Sequence, residues 1–268
     1  MTPPVVLTIG GSDSAGGTEI QGDLKVFAAL GAYGACVLTA VTAQNTKDIM
    51  DVFPLPATVV GTQLSAVLED LPLAATKTGM LASAEIAAAV TAKARAGLLP
   101  NLVVDPVLKS STGRRLGVVT AIERLLPYAT VATPNIDEAS ALVGWRIETP
   151  TDMAGAASQL VSNGPKHVII TGGDLANPHE AIDAVWTDSG VRFLRAPRVN
   201  SRNDHGIGSA FAAAIAVRLA FGSPVQDALV YAKRYVSRAL SGAAGWQIGG
   251  GHGPMDVFGW AAPDKPTF

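Results

Sequence analysis

The chain has 268 residues, of which 48% are apolar and 16% charged, with a formal net charge of −2. That length and apolar share allow a sizeable core in one large domain or two small ones, and they exclude intrinsic disorder. Scattered charges of both signs offer no basic stripe for nucleic acid or membrane, and one cysteine, Cys36, excludes an internal disulfide framework or a cysteine-cluster zinc site.

Val5–Gly10 reads as a strand, too short for a signal segment and with no basic residues before it. Glu19–Leu30 places Ile20, Leu24, Phe27 and Leu30 on one face and predicts an amphipathic helix. Ala35–Val41 is a second strand, Val59–Leu71 a helix and Ala74–Thr78 a strand. Ser83–Ala96 is a helix with Ser83 as N-cap and Gly97 just past its end. Leu102–Val104 is a buried strand ending at Asp105-Pro106. A helix over Val119–Leu126, a strand over Thr130–Ala132 and a helix over Ile136–Val143 follow. Next come a helix over Asp152–Ser162 and a strand over His167–Thr171. Ile182–Trp186 and Val191–Ala196 pair around a Thr-Asp-Ser-Gly turn. Helices over Ser209–Leu219 and Pro224–Ser241 close the chain. The longest apolar run, Ser209–Phe221, contains Arg218 and is shorter than the ~20 residues of a membrane span. The expectation is a soluble cytoplasmic protein.

Apolar strands alternating with helices predict an α/β fold with a mostly parallel sheet covered on both faces, read as one domain over 1–268. In such sheets ligands bind beyond the carboxyl ends of the strands. Gly10–Gly17 (GGSDSAGG) lets backbone amides approach a ligand, although a tight turn reads equally well. Gln44, in Thr42–Thr46, suits the edge of a polar heterocycle, although as a residue pattern alone a solvated loop amide is the more frequent case. Asp105 suits Mg²⁺ near phosphates, or a turn cap. Asn135 and Glu138 form a capping-box pattern, with Glu138 also placed to face a Mg-nucleotide. Asn203–Ser209 (NDHGIGS) offers free N–H groups at the positive end of a helix. Gly249–Pro254 (GGGHGP) is either a loose tail or a nucleotide-side loop. The four histidines show no metal-ligand spacing.

GGSDSAGG (Gly10–Gly17), IQGDLKVF (Ile20–Phe27), AVTAQNT (Ala40–Thr46), TKTGML (Thr76–Leu81), VVDPV (Val103–Val107), TPNIDEA (Thr133–Ala139) and GHGPMD (Gly251–Asp256) occur in this order. The set resembles the ribokinase-like superfamily. Within it the chain is most similar to the hydroxymethylpyrimidine (phosphomethylpyrimidine) kinases of thiamin biosynthesis. The resemblance implies a three-layer αβα sandwich, a homodimer, and Mg-ATP-dependent phosphorylation of 4-amino-5-hydroxymethyl-2-methylpyrimidine and then of its monophosphate. It implies that Gly11, Asp23 and Gln44 hold the pyrimidine, with Met80 and Val107 lining the pocket. Asp105 and Glu138 would organise Mg²⁺ and phosphates. Asn135 and Lys233 would lie near the nucleotide, and Gly206, Gly208 and Ser209 would form the anion hole.

The chain departs from that pattern in places. The family's Thr-His-Gly-Thr-Gly-Cys reads Asp204-His205-Gly206-Ile207-Gly208-Ser209. Ser209 is a poor general base without a partner, and Asp204 would oppose an anion if it pointed inward. The family's Gly-Ala-Gly becomes Gly17-Thr18-Glu19, and its Lys-Gly-Gly-His becomes Thr171-Gly172-Gly173-Asp174. Two further readings therefore stand beside an active pyrimidine kinase: a pyridoxine or pyridoxal kinase, and a catalytically weak or inactive pyrimidine-binding paralogue.

Overall fold

A computed structural model describes residues 2–108, 117–177, 179–187 and 189–261. In chain order the elements are β1 (Val5–Ser12), α1 (Glu19–Ala29), β2 (Tyr33–Gln44), β3 (Ile49–Pro54), α2 (Ala57–Asp70), β4 (Leu73–Thr78), α3 (Ala84–Arg95), β5 (Leu102–Val104), α4 (Val119–Leu125) with a 3₁₀ turn over Leu126–Tyr128, β6 (Val131–Ala132), α5 (Ile136–Val143), α6 (Pro150–Val161), β7 (His167–Ile170), β8 (Glu180–Thr187), β9 (Gly190–Pro197), α7 (Ile207–Ala220) and α8 (Val225–Ala243). The nine strands form one sheet in the order β3-β2-β1-β4-β5-β6-β7-β8-β9. From β2 to β7 every pairing is parallel; β3, β8 and β9 join antiparallel at the two edges.

Strand alternation sorts the core into two layers. Leu7, Ile9, Leu102 and Val104 face α2 to α6, while Val6, Ala75, Val103 and Val131 face α1, α7 and α8. The result is the three-layer αβα sandwich that the alternation of elements predicts. Helix α7 is buried all round, with every residue from Ser209 to Val217 inside, because alanine lets it lie close to the sheet.

The expected caps form. Ile86 N–H donates to Ser83 Oγ at 3.2 Å, and Asn135 and Glu138 close a full capping box on α5. β3 was not expected. Its Asp51 and Pro54 weaken the strand signal, and it is held from one side only as an edge strand. α7 starts two residues before the expected Ser209, because Gly206 at φ +87° caps it. The β8–β9 hairpin stands as expected, although Asp188 of its turn lies outside the described residues. No helix of the described residues is long and apolar enough to cross a membrane.

Candidate active site

From β1 the chain runs outward to β2 and β3, then returns across β1 to β4. The carboxyl ends of β1 and β4 therefore border a topological switch point, where open α/β sheets bind ligands. Gly11, Asp23, Gln44, Met80, Asp105, Glu138 and Gly206–Ser209 all come to this end of the sheet. Lys233 reaches the same end farther along the sheet: it sits in α8, with Nζ 2.7 Å from Asp183 Oδ2 of β8, beside the carboxyl end of β7. Asp183 also accepts from Gly172 N–H at 3.1 Å, so this carboxylate links Lys233 to the loop after β7.

Beneath the switch point lies a buried polar cluster. Lys77 Nζ of β4 donates to both Asp23 oxygens of α1 (2.9 and 2.8 Å) and to Ser209 Oγ of α7 (2.7 Å). Ser209 Oγ donates to Asp23 Oδ1 at 2.9 Å, and Thr8 Oγ1 of β1 donates to Asp23 Oδ2 at 2.6 Å. Asp105 Oδ2 stands 3.7 Å from Lys77 Nζ. Burial would lower the Lys77 ammonium, but Asp23, Asp105 and Glu19 outweigh it and hold the group above its ordinary value. Ser209 thus has the partners its sequence context did not reveal, and they fix it as a donor to Asp23.

Glu19 occupies the crevice itself. Gly11 N–H donates to its Oε2 at 2.9 Å and Met80 N–H at 3.1 Å. Met80 is buried, and its methyl lies where a side chain on Gly11 would have to go. Burial, with the charges of Asp23 and Asp105 added, outweighs Lys77 and pushes the Glu19 carboxyl up to about 7.

At the end of β2, Gln44 Nε2 lies 3.3 Å from His205 Nε2, which is 3.0 Å from Asp13 Oδ2. Burial would raise the Asp13 carboxyl, but His205 and the N–H groups of Ala15 and Thr18 hold it below its usual range. Gly249–Pro254 is pinned by hydrogen bonds, although Gly249, Gly250 and His252 face solvent. Gly251 N–H donates to Thr46 Oγ1 at 3.2 Å, His252 N–H donates to Thr46 O at 2.7 Å, and His205 N–H donates to Gly253 O at 3.0 Å. The segment straps the loop after Gln44 to the loop before α7.

Gly206 must be glycine. Its φ is +87°, and a Cβ there would collide with Gly17 O. Beyond it the first turn of α7 leaves Gly208 open, with nothing near its missing Cβ. Asp204 does not point into this turn. Its Oδ1 lies 2.6 Å from His252 Nδ1, so the feared repulsion of an anion is turned toward the strap.

On the other flank, Asp105 follows β5 and Glu138 sits in the first turn of α5. Glu138 Oε2 accepts from Asn135 N–H at 3.0 Å and Oε1 from Leu108 N–H at 3.4 Å. Asn135 Oδ1 is used by Glu138 N–H at 2.9 Å, so its side chain serves the cap. Burial, opposed by Lys77, raises Asp105 to about 6; burial and the Asp105 charge raise Glu138 to about 8. Two crowded, desolvated carboxylates of this kind fit a hard divalent cation. Among the described residues no group of three or more His, Cys, Asp or Glu side chains forms a metal cluster. Val107, partly buried, follows Asp105, with its N–H on Asp105 O at 2.9 Å.

Lys77 was missed in the sequence, although it carries the centre of the site. The signal was present: a lysine inside the apolar run Leu73–Thr78 must be paired to be buried.

The profile of the phosphomethylpyrimidine kinase family matches residues 13–256. A hydroxymethylpyrimidine/phosphomethylpyrimidine kinase of Streptomyces coelicolor is 46% identical over 265 residues, covering 97% of this chain and 96% of that one. The structure of Staphylococcus aureus pyridoxal kinase in complex with AMP-PCP and pyridoxal aligns with TM-score 0.88 at 34% identity, over 98% of this chain and 96% of that one. A Clostridium difficile phosphomethylpyrimidine kinase aligns with TM-score 0.77 at 36% identity, over 88% of this chain and 99% of that one.

Proposed function

The chain belongs to the phosphomethylpyrimidine kinase family, and we propose that it transfers the γ-phosphoryl group of ATP to 4-amino-5-hydroxymethyl-2-methylpyrimidine, to its monophosphate, or to both. One observation carries this reading. Ser209, in the first turn of the anion-hole helix α7, is hydrogen-bonded at 2.9 Å to Asp23 of the substrate-side helix α1. The acceptor pocket and the helix N-terminus that would hold the transferring group are thus locked together at the switch point.

Phosphoryl transfer needs positioning and charge stabilisation more than a strong base. Gln44 orients the heterocycle by its amide, steadied by His205. The N–H groups of Gly208 and Ser209, at the positive end of a 14-residue helix, face the transferring oxygens. The Ser209 hydroxyl, held between Lys77 and Asp23, serves as a positioning group, and the substrate hydroxyl's proton, lost late in a loose transition state, leaves on a phosphoryl oxygen. Asp105 and Glu138 would hold Mg²⁺, which when bound neutralises charge on the phosphates. Asn135 and Lys233 act behind the nucleotide side, through the α5 cap and Asp183 respectively.

The same reading takes residues 1–268 as one kinase domain, supported by the sheet that runs unbroken from β3 to β9. It takes the active form as a homodimer, supported by the exposed apolar edge of β3, where Met50 and Phe53 are 65% and 64% accessible. A cytoplasmic setting is supported by the single cysteine. A pyridoxal kinase activity is the second reading, supported by the alignment with the Staphylococcus aureus enzyme. The weak-paralogue reading draws on Glu19, which fills the crevice. The test is ADP release from Mg-ATP with the aminopyrimidine, its monophosphate and pyridoxal in parallel. Pyrimidine-dependent release faster than pyridoxal-dependent release supports the first reading; no pyrimidine-dependent release overturns it.

A further inference from the structure

Glu19 is one of three non-glycine residues at positive φ among the described residues, at +50°. An L side chain in that region is strained and persists only where the surroundings fix it. The surroundings here are specific. Glu19 Oε2 takes an N–H from each side of the switch point, Gly11 near the end of β1 and Met80 two residues after β4. Gly10 and Gly79 clear the space, since a Cβ on either would sit 2.6 or 2.7 Å from Oε2. Oε1, by contrast, has only a 3.4 Å contact to Met80 N–H. The nearby cation, Lys77, is committed to Asp23 and Ser209. One oxygen of a strained, anchored carboxylate is therefore left with acceptor capacity at the place where a ligand enters.

Resting on the kinase reading above, the geometry points to Glu19 as a specificity-determining residue, whose Oε1 accepts a hydrogen bond from an exocyclic amino group of the heterocycle while Oε2 stays on the Gly11 and Met80 amides. A heterocycle without that donor either leaves Oε1 unmatched beneath it or must evict Glu19 from both amides. Either route disfavours it. Burial together with Asp23 of α1 and Asp105 after β5, against Lys77 of β4, already makes the carboxylate costly to keep charged, so a matching donor gains in value.

The test compares 4-amino-5-hydroxymethyl-2-methylpyrimidine with its des-amino analogue, by calorimetric titration and by initial rates with Mg-ATP. The proteins are wild type, Glu19→Gly, which suits the backbone at φ +50°, and Glu19→Gln, which keeps the size and removes the charge. The ratio of the two dissociation constants should favour the amino compound in wild type. It should narrow at least about tenfold in Glu19→Gly, and at least as far in Glu19→Gln, whose one oxygen stays on the Gly11 and Met80 amides and whose NH2 then meets the amino group donor to donor. An unchanged ratio in Glu19→Gly, or equal tightening of both compounds, overturns the proposal and leaves Glu19 as mere filling. Amine-selective binding that depends on Glu19, without phosphate transfer, would sink the kinase reading and keep this one. Turnover of the pyrimidine with a ratio indifferent to Glu19 would do the reverse.

Discussion

Lys77 Nζ donates to Ser209 Oγ at 2.7 Å, joining the carboxyl end of β4 to the first turn of α7 across the core of the site. The hydroxyl donates in turn to Asp23 at 2.9 Å, so ammonium, hydroxyl and carboxylate close a buried ring of hydrogen bonds.

Ser209→Ala removes one acceptor from Lys77 and one donor from Asp23, both buried. An unmatched buried partner costs about 1–3 kcal/mol. The variant should melt several degrees lower than wild type by calorimetry, while Ser209→Cys, which keeps a weak donor and acceptor, should lie between them.

Lys77→Met should be harsher. It strips the cation from Asp23, Asp105 and Glu19 together. Breaking a buried pair by removing one partner costs about 3–5 kcal/mol. Urea unfolding should show that loss at neutral pH and much less in acid, where the three carboxylates take up protons; an equal loss at both would rule out the charge argument.

Asp105 and Glu138, raised to about 6 and about 8, hold protons in the folded state that the unfolded chain gives up at lower pH. The folded state therefore loses stability as pH rises from about 4 through about 8. In chelator the melting temperature should fall across that window. Mg²⁺ should restore it most at the alkaline end, and Glu138→Gln should flatten the chelator curve.

Gly206→Ala places a Cβ against Gly17 O at φ +87°. Adapting to that would move the α7 N-terminus off the site. We expect a loss of stability on the order of 2 kcal/mol and a fall in kcat of at least about 100-fold, with KM for the pyrimidine changed far less. A fall confined to KM would place the α7 turn on the substrate side instead.

Local rules made much of this molecule legible. The capping box at Asn135 and Glu138 and the apolar run Leu102–Val104 are short-range signals, and α5 and β5 form at the expected residues. Glycine and carboxylate placement after the strands points to the end of the sheet at which Gly11, Asp105 and Gly206 gather. Long-range pairing was not legible. β3 exists because β2 offers it an edge, not because Ile49–Pro54 has a strand pattern. Lys77 needed α1 and α7 to bring Asp23 and Ser209 to it from 54 and 132 residues away in sequence. Asp204 could be oriented only once His252 was known to stand beside it.

The glycine strap deserves the treatment usually kept for interior segments. Residues 249–253 have no regular structure, yet a Cβ on Gly251 would strike Thr46 O and one on Gly253 would strike Asn203 Oδ1. An alanine scan through this coil should thus read like a scan through the hydrophobic interior. A segment that looks like a tolerant tail behaves as a seam, and opening it would let the β2 end and the α7 entrance drift apart.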